Sequence, residues 1–327
     1  MDLIIKPTVR CNFSCTFCSS TKLSNRVSDE LSLNDIYQFV DKYGSDLRTI
    51  IVNGGDPLMM EPEYYLNLLD YIEKANTNTV LAFTTNLWDF YLNPDKWVPV
   101  FSHRLVSVTT SFQLDDTRRI DKDRILDKST FISIIELFRQ KVPNKPTPHF
   151  ISVITYDNRH TCLDLVRLAK ELGTMCKLNY VTSTGRSSED YFLLGDMYEI
   201  YHKIKSEGLA EYEYNTSRQF TSITTCPLNR NCDKGIRCLQ PDGSIYTCGS
   251  FGDMRQYKLK SIDDDTRLVN MDRSLIMLKS ECSTCRLFRY CNGCYHTIHS
   301  LKRLGRVEQH CKSMKSKMGL ITELEGG

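Results

Sequence analysis

The chain has 327 residues, with 42 Lys and Arg against 40 Asp and Glu, and is 41% hydrophobic and 10% aromatic. That suffices for one large domain or two modest ones and leaves little room for extensive disorder. A net charge of +2 creates no field that would require nucleic acid or a membrane surface.

The elements follow a βα repeat. Short β-branched runs at Leu3–Lys6, Thr49–Asn53, Val80–Thr84, Leu105–Thr110, Phe150–Thr155 and Lys177–Val181 read as strands. Between them lie amphipathic stretches. Leu33–Tyr43 follows a Ser32 cap, Glu61–Lys74 follows a proline, and Phe131–Gln140 follows Ser129 and Thr130. Cys162–Leu172 ends at Gly173, and Tyr191–Lys205 closes the set. Right-handed crossovers would curl these units into a partial (β/α)6 TIM barrel, an α/β fold with the loops at the strand C-terminal ends gathered on one face. After Ser206 the strands shorten and cysteines become frequent. Pro241-Asp242-Gly243 reads as a hairpin turn between Arg237–Gln240 and Ser244–Thr247. The expected division is 1–210 and 211–327.

No apolar run approaches the roughly 20 residues that span a bilayer. Met1–Val9 has neither the length nor the order of a secretory signal, so a cytoplasmic protein with no membrane partner is expected. Against that background the 14 cysteines stand out. A chain this long needs no disulfide scaffold, and clustered thiols in a reducing compartment more often hold metal. Three are Cys11, Cys15 and Cys18, two are Cys162 and Cys176, and nine lie between Cys226 and Cys311.

The first cluster forms the loop after the first strand. A closed tetrahedral zinc site takes four ligands, whereas three cysteines on a four-iron cubane leave one iron open. An open iron can bind a small molecule and pass it an electron. Cys11-x3-Cys15-x2-Cys18, with aromatic Phe17 before the last cysteine, resembles the signature of the radical SAM superfamily. The second strand ends in Asn53-Gly54-Gly55-Asp56-Pro57, similar to that family's Gly-Gly-Glu-Pro segment. The resemblance implies that Gly54, Gly55 and Asp56 bind the methionine amino group, the glycines by allowing close backbone approach to the ligand and Asp56 by accepting from the ammonium. Asn86 after the third strand and Ser111 after the fourth match polar positions beside SAM. Leu87 and Gln113 depart from the family pattern there, and Gly185-Arg186 resembles a late loop lining the adenosine.

The second cluster resembles the SPASM extension of radical SAM enzymes, with Cys291-x2-Cys294 one residue short of the usual spacing. The resemblance implies that Cys226, Cys232, Cys248 and Cys294 hold one auxiliary four-iron cluster, and Cys282, Cys285, Cys291 and Cys311 another. Three [4Fe-4S] clusters then use eleven of the 14 cysteines. Cys162 and Cys176 are expected as buried apolar residues. Cys238 is read as core packing or as a redox thiol. The alternative is a pair of zinc sites in a non-enzymatic interaction module, because Cys282-x2-Cys285 with Cys291-x2-Cys294 also suits a zinc knuckle.

The histidines show no paired metal spacing, and Tyr295-His296 borders Cys294. Lys302, Arg303, Arg306, Lys312, Lys315 and Lys317 form a basic stretch, read as a solvated helix face. Taken together, the resemblance implies an enzyme that cleaves S-adenosylmethionine reductively and takes a hydrogen from an unactivated carbon. Its expected substrate is a peptide or protein side chain, cross-linked, epimerised or oxidised. A flavodoxin- or ferredoxin-type protein is the expected electron donor. The other reading is a nucleic acid base or nucleotide-linked molecule, supported by the basic stretch. Sulfatase maturases usually place an Asp base after the cysteine matched to Cys248; here that position is Gly249. With the first strand beginning at residue 2, leader recognition is expected to need a partner or another surface.

Overall fold

In the computed structural model, alternation along β1 (Asp2–Ile5) sends Leu3 and Ile5, both fully buried, to the helix side and leaves Ile4 facing the other way. The structure describes all residues except 21–29, 76, 122–123, 218–234, 273–276, 278, 288–290, 292–293 and 327. β1 pairs in parallel with β2 (Thr49–Val52), and the parallel ladder continues through β3 (Val80–Thr84), β4 (Val106–Ser111), β5 (His149–Ile154) and β6 (Cys176–Tyr180). Parallel strands need crossovers. These are α1 (Leu33–Tyr43), α2 (Pro62–Lys74), α3 (Trp88–Leu92), α4 (Pro94–Phe101), α5 (Lys128–Lys141) and α6 (Cys162–Glu171), followed by α7 (Leu194–Ser206) and a short turn of helix, α8 (Tyr214–Ser217).

The helix ends follow local chemistry. Ser32 caps α1 by accepting from the Asn34 N–H at 3.2 Å, and Gly44, at φ 47°, ends it. Asp127 caps α5 through the Thr130 N–H at 2.8 Å. Helices α3 and α4 were not expected from sequence. Pro94 stands at the start of α4 and Pro99 inside it, so the segment reads as broken. Trp97 and Phe101, buried completely, hold it in place. Apart from β3, found as expected, strand limits differ from expectation by one residue, and α7 begins at Leu194 rather than Tyr191.

The hairpin is where the fold departs most from the linear reading. β7 (Ile236–Leu239) and β8 (Ile245–Tyr246) form the expected antiparallel pair, with Gly243 at φ 72° in the turn. β7 also pairs in parallel with β1, so that Ile4 lies opposite Cys238. The sheet therefore runs β6-β5-β4-β3-β2-β1-β7-β8 and crosses the expected division at residue 210. Beyond it come α9 (Gly249–Met254), α10 (Leu268–Met271), α11 (Tyr295–Arg303), α12 (Val307–Ser316) and α13 (Met318–Gly326). Helix α12 returns to pack on α7, where Ser313 fills the space beside Gly195. The architecture is an α/β partial barrel followed by a cysteine-rich region. Among the described residues no helix is long and apolar enough to cross a membrane.

Candidate active site

Because β1–β6 are parallel, their C-terminal ends share one face, and the Cys11–Cys18 loop meets the ends of β2, β4 and β6 there. From the β2 side, the Gly55 N–H donates to the Thr8 carbonyl at 3.0 Å and the Asp56 N–H to the Arg10 carbonyl at 2.8 Å. After β4, the carbonyls of Arg119 and Thr117 accept from the N–H groups of Ser14 and Thr16, at 2.8 and 3.0 Å. After β6, the Arg186 N–H donates to the Cys18 carbonyl at 3.0 Å, and its Nη1 to the carbonyls of Ser14 and Cys15. The glycines are demanded by this packing. A Cβ on Gly54 would overlap the Thr8 carbonyl, one on Gly55 the Arg10 carbonyl, and one on Gly185 the Cys18 carbonyl. These glycines let the ends of β2 and β6 lie against the chain that leads into and out of the cysteine loop.

Within the loop Cys15 is buried, Cys18 half-buried and Cys11 reaches the surface from a packed base. Cys11 Sγ accepts from the Phe13 N–H at 3.3 Å. Burial, then the Asp56 carboxylate and the Cys15 and Cys18 thiolates, push the Cys11 thiol well above its ordinary pKa. Three thiolates this close repel one another unless a cationic centre binds them, so ligation and deprotonation are coupled. Among the described residues no three Cys, His, Asp or Glu groups are gathered closely enough for a single metal ion. The fit to a four-iron cluster rests on the donor chemistry, three soft thiol ligands from one loop that sense each other's charge.

Asp56, only 2% exposed, has an internal task that its sequence context did not reveal. Its Oδ1 accepts from the Leu58 N–H and Thr85 Oγ1, each at 2.9 Å, and Oδ2 from the Asn86 N–H at 2.7 Å. Burial raises it to about 6 against these donors. The carboxylate ties the end of β2 to the end of β3. Asn86 passes the connection on, donating from Nδ2 to Asn12 Oδ1 in the cysteine loop at 2.7 Å. Ser111 ends β4 half-buried. Phe17 lies under the Arg118 guanidinium, 5.5 Å from its ring centroid, with Phe13 at 6.0 Å.

Three residues here escaped sequence reasoning: Arg118, Arg186 as a clamp, and Lys6. Arg118 is buried and its Nε donates to Gln113 Oε1 at 2.7 Å. The departure of Gln113 from the family pattern was the only available hint. Lys6, just past β1, is a buried lysine paired with Asp253; a charged residue closing a strand signals nothing by itself.

In the second set, Cys226 and Cys232 lie outside the described residues. Cys248 and Cys294 are both buried, and Cys248 is raised by burial and by the Cys294 thiolate. Burial, then the Cys311, Cys285 and Cys282 thiolates, push Cys291 up to about 12. Cys248 is thus within electrostatic reach of Cys294, and Cys291 within that of Cys282, Cys285 and Cys311. Cys162 and Cys176 are buried in α6 and β6, and Cys238 in β7. Much of the basic stretch is paired internally. Arg303 donates to the Ser183 and Ser188 carbonyls, Arg306 lies over Tyr191, and Lys317 meets Glu199 at 2.6 Å. Lys312 and Lys315 are exposed.

Three cysteines after the first strand of a parallel sheet, clamped by later strand ends, coincide with a match of residues 5–169 to the model of the Radical SAM superfamily. The chain belongs to that superfamily. It is a radical SAM enzyme, and membership implies a [4Fe-4S] cluster and SAM. This radical SAM chain is 22% identical, over 337 aligned residues, to the cysteine-type anaerobic sulfatase-maturating enzyme of Clostridium novyi (strain NT), covering 90% of this chain and 87% of that one. Its structure resembles histidine-tagged anSMEcpe with bound AdoMet, with a TM-score of 0.73 at 18% identity over 100% of this chain and 98% of the other. It also resembles Streptococcus suis SuiB bound to precursor peptide SuiA, with a TM-score of 0.62 at 17% identity over 90% and 72%. At these identities the structural likeness speaks for the fold.

Proposed function

We propose that this radical SAM enzyme modifies a peptide or protein side chain by taking a hydrogen from an unactivated carbon. The outcome would be a cross-link, an epimerised centre or an oxidised group. The observation that carries the reading is the clamped loop of Cys11, Cys15 and Cys18, whose backbone is held from the ends of β2, β4 and β6. Those three cysteines would hold the catalytic [4Fe-4S] cluster, with Phe17, Gly54, Gly55, Asp56, Asn86 and Ser111 around SAM. When bound, the cluster supplies the electron that cleaves SAM to methionine and a 5′-deoxyadenosyl radical, chemistry that belongs to the cofactors and not to the side chains. The chain's own work is to hold the loop rigid, exclude water and orient the substrate carbon.

Support for a peptide substrate comes from the relatives, one named as a sulfatase-maturating enzyme and one bound to its precursor peptide. Gly249 stands where sulfatase maturases usually carry an Asp base, which favours a different side-chain reaction. Cys226, Cys232, Cys248 and Cys294 would hold one auxiliary cluster, and Cys282, Cys285, Cys291 and Cys311 the other. In this reading residues 1–210 generate the radical, residues 211–327 carry the auxiliary clusters, and a flavodoxin- or ferredoxin-type protein delivers the electron.

The test is anaerobic reconstitution followed by iron and sulfide analysis and incubation with SAM and dithionite. About twelve irons per chain, for three four-iron clusters, with 5′-deoxyadenosine formed, would bear the reading out. Zinc in place of iron, with SAM left intact, would sink it. Mass spectrometry of candidate peptides, seeking losses of hydrogen or deuterium exchange, then decides among cross-link, epimer and oxidation.

A further inference from the structure

Lys6 follows β1 and continues the face of Ile4, away from Leu3 and Ile5. Its ammonium pairs with Asp253 of α9, with only 4% and 8% of the two side chains exposed. The same Asp253 Oδ1 accepts from Ser20 Oγ at 3.4 Å, two residues beyond Cys18. Helix α9 begins directly after Cys248, and two glycines let it lie close. A Cβ on Gly252 would overlap Gln240 Nε2, and one on Gly249 would sit 3.3 Å from Ile4 Cδ1. One carboxylate therefore joins the strand that leads into Cys11, the segment that leaves Cys18 and the helix that starts at Cys248.

Fastening alone does not require charge. Burying an ion pair costs several kcal/mol of desolvation, and an apolar pair of similar volume often holds a junction as well or better. Here the charges face other ionisable groups: the Cys18 and Cys238 thiols lie within the electrostatic reach of Lys6. A fixed charge buried beside thiolate ligands alters how readily a bound cluster accepts an electron.

We propose that Lys6 and Asp253 are positioning residues for the Cys11, Cys15 and Cys18 site: the pair locks that loop to the helix begun at Cys248, and its two opposite charges balance the field in which the cluster is reduced. This rests on the cluster assignment made above. With Asp253 neutralised, the uncompensated ammonium of Lys6, whose field reaches Cys18, favours the reduced, more negative cluster and raises its potential. Without Lys6, the remaining carboxylate lowers it.

The experiment is an EPR-monitored redox titration of the reconstituted full-length chain, following the signal that changes when SAM is added, since SAM reports the cluster with the open iron. Asp253→Asn is expected to shift that midpoint upward, Lys6→Met downward, and the charge-free double variant Lys6→Met/Asp253→Leu to restore it towards the parent. Shifts of both single variants in one direction, or none while SAM responsiveness persists, would overturn the proposal. Should a single variant lose its iron, Lys6→Arg, which keeps the charge, and the double variant decide. Parental midpoints in both support charge balance, and a midpoint displaced in both in the same direction rejects it. A parent chain with no SAM-responsive signal would instead bring down the cluster assignment itself.

Discussion

Arg186 Nη1 donates to the carbonyl oxygens of Ser14 and Cys15, each at 2.9 Å, from the far end of the parallel ladder. Together with its backbone bond to Cys18, this makes the loop after β6 a brace for the loop after β1. Hydrogen bonds from a charged donor contribute about 1.5–3 kcal/mol each. Arg186→Ala is therefore expected to lower iron bound at the first site and 5′-deoxyadenosine formation several-fold, with Arg186→Lys intermediate. Iron analysis and product chromatography on the two variants check this; parental behaviour in Arg186→Ala would show the brace to be idle.

Gly55→Ala should be among the most damaging single-methyl changes in the chain. Its Cβ would occupy the position of the Arg10 carbonyl, and backbone cannot rotate aside as a flexible side chain can. Overpacking costs roughly 1–3 kcal/mol or more, so a clear fall in the denaturant midpoint is expected, with loss of SAM cleavage. Gly319→Ala, where nothing lies within 4 Å of the added carbon, should lower neither, and as a helical glycine replaced by alanine it should if anything raise the midpoint.

The two cysteine groups predict separable losses. Cys15→Ala should remove about a third of the iron, one cluster of three, and abolish SAM cleavage. Cys291→Ala should remove a similar share, because Cys282, Cys285, Cys291 and Cys311 interact as a group. That second variant is expected to retain SAM cleavage while losing turnover of the true substrate. Loss of SAM cleavage in both would mean that the sites are not independent.

Glu213 lends the chain a pH-dependent stability far from the cysteine loops. Fully buried, it accepts from the N–H groups of Leu178, Asn215 and Thr216 at 3.2, 2.8 and 2.8 Å, yet burial raises it from 4.5 to about 7. Across that window the folded chain holds a proton that the unfolded chain has released. Its contribution to stability is therefore full below about 4.5 and declines as pH rises through 7. Relative to Glu213→Gln, the parent should lose up to about 1.4 kcal/mol per pH unit within the window. Denaturant midpoints of both proteins between about pH 5 and about pH 8 test this, and parallel profiles would refute it.

Much of the site was legible because its chemistry is local. Cys11, Cys15 and Cys18 occupy one short loop, and Gly54-Gly55-Asp56 ends a strand whose β-branched run, Thr49–Val52, declares itself. The strand and helix periods of the first 210 residues likewise place α1 and β3 at their observed limits. Helices α3 and α4 were illegible because α3 is short and α4 carries Pro94 and Pro99, and burial of Phe90, Trp97 and Phe101 helps to hold them there.

By itself the sequence determined which residues could be ligands and on which kind of element each would stand, since spacing within a loop and alternation along a strand are properties of neighbouring residues. Tertiary structure alone decided that Asp56 would cap β3's exit, that Arg186 would grip Ser14 and Cys15, that β7 would extend the sheet at β1, and that Lys6 would find Asp253. Each of those contacts joins residues 30 to 247 positions apart. No local period encodes such a partner; packing of the whole sheet selects it.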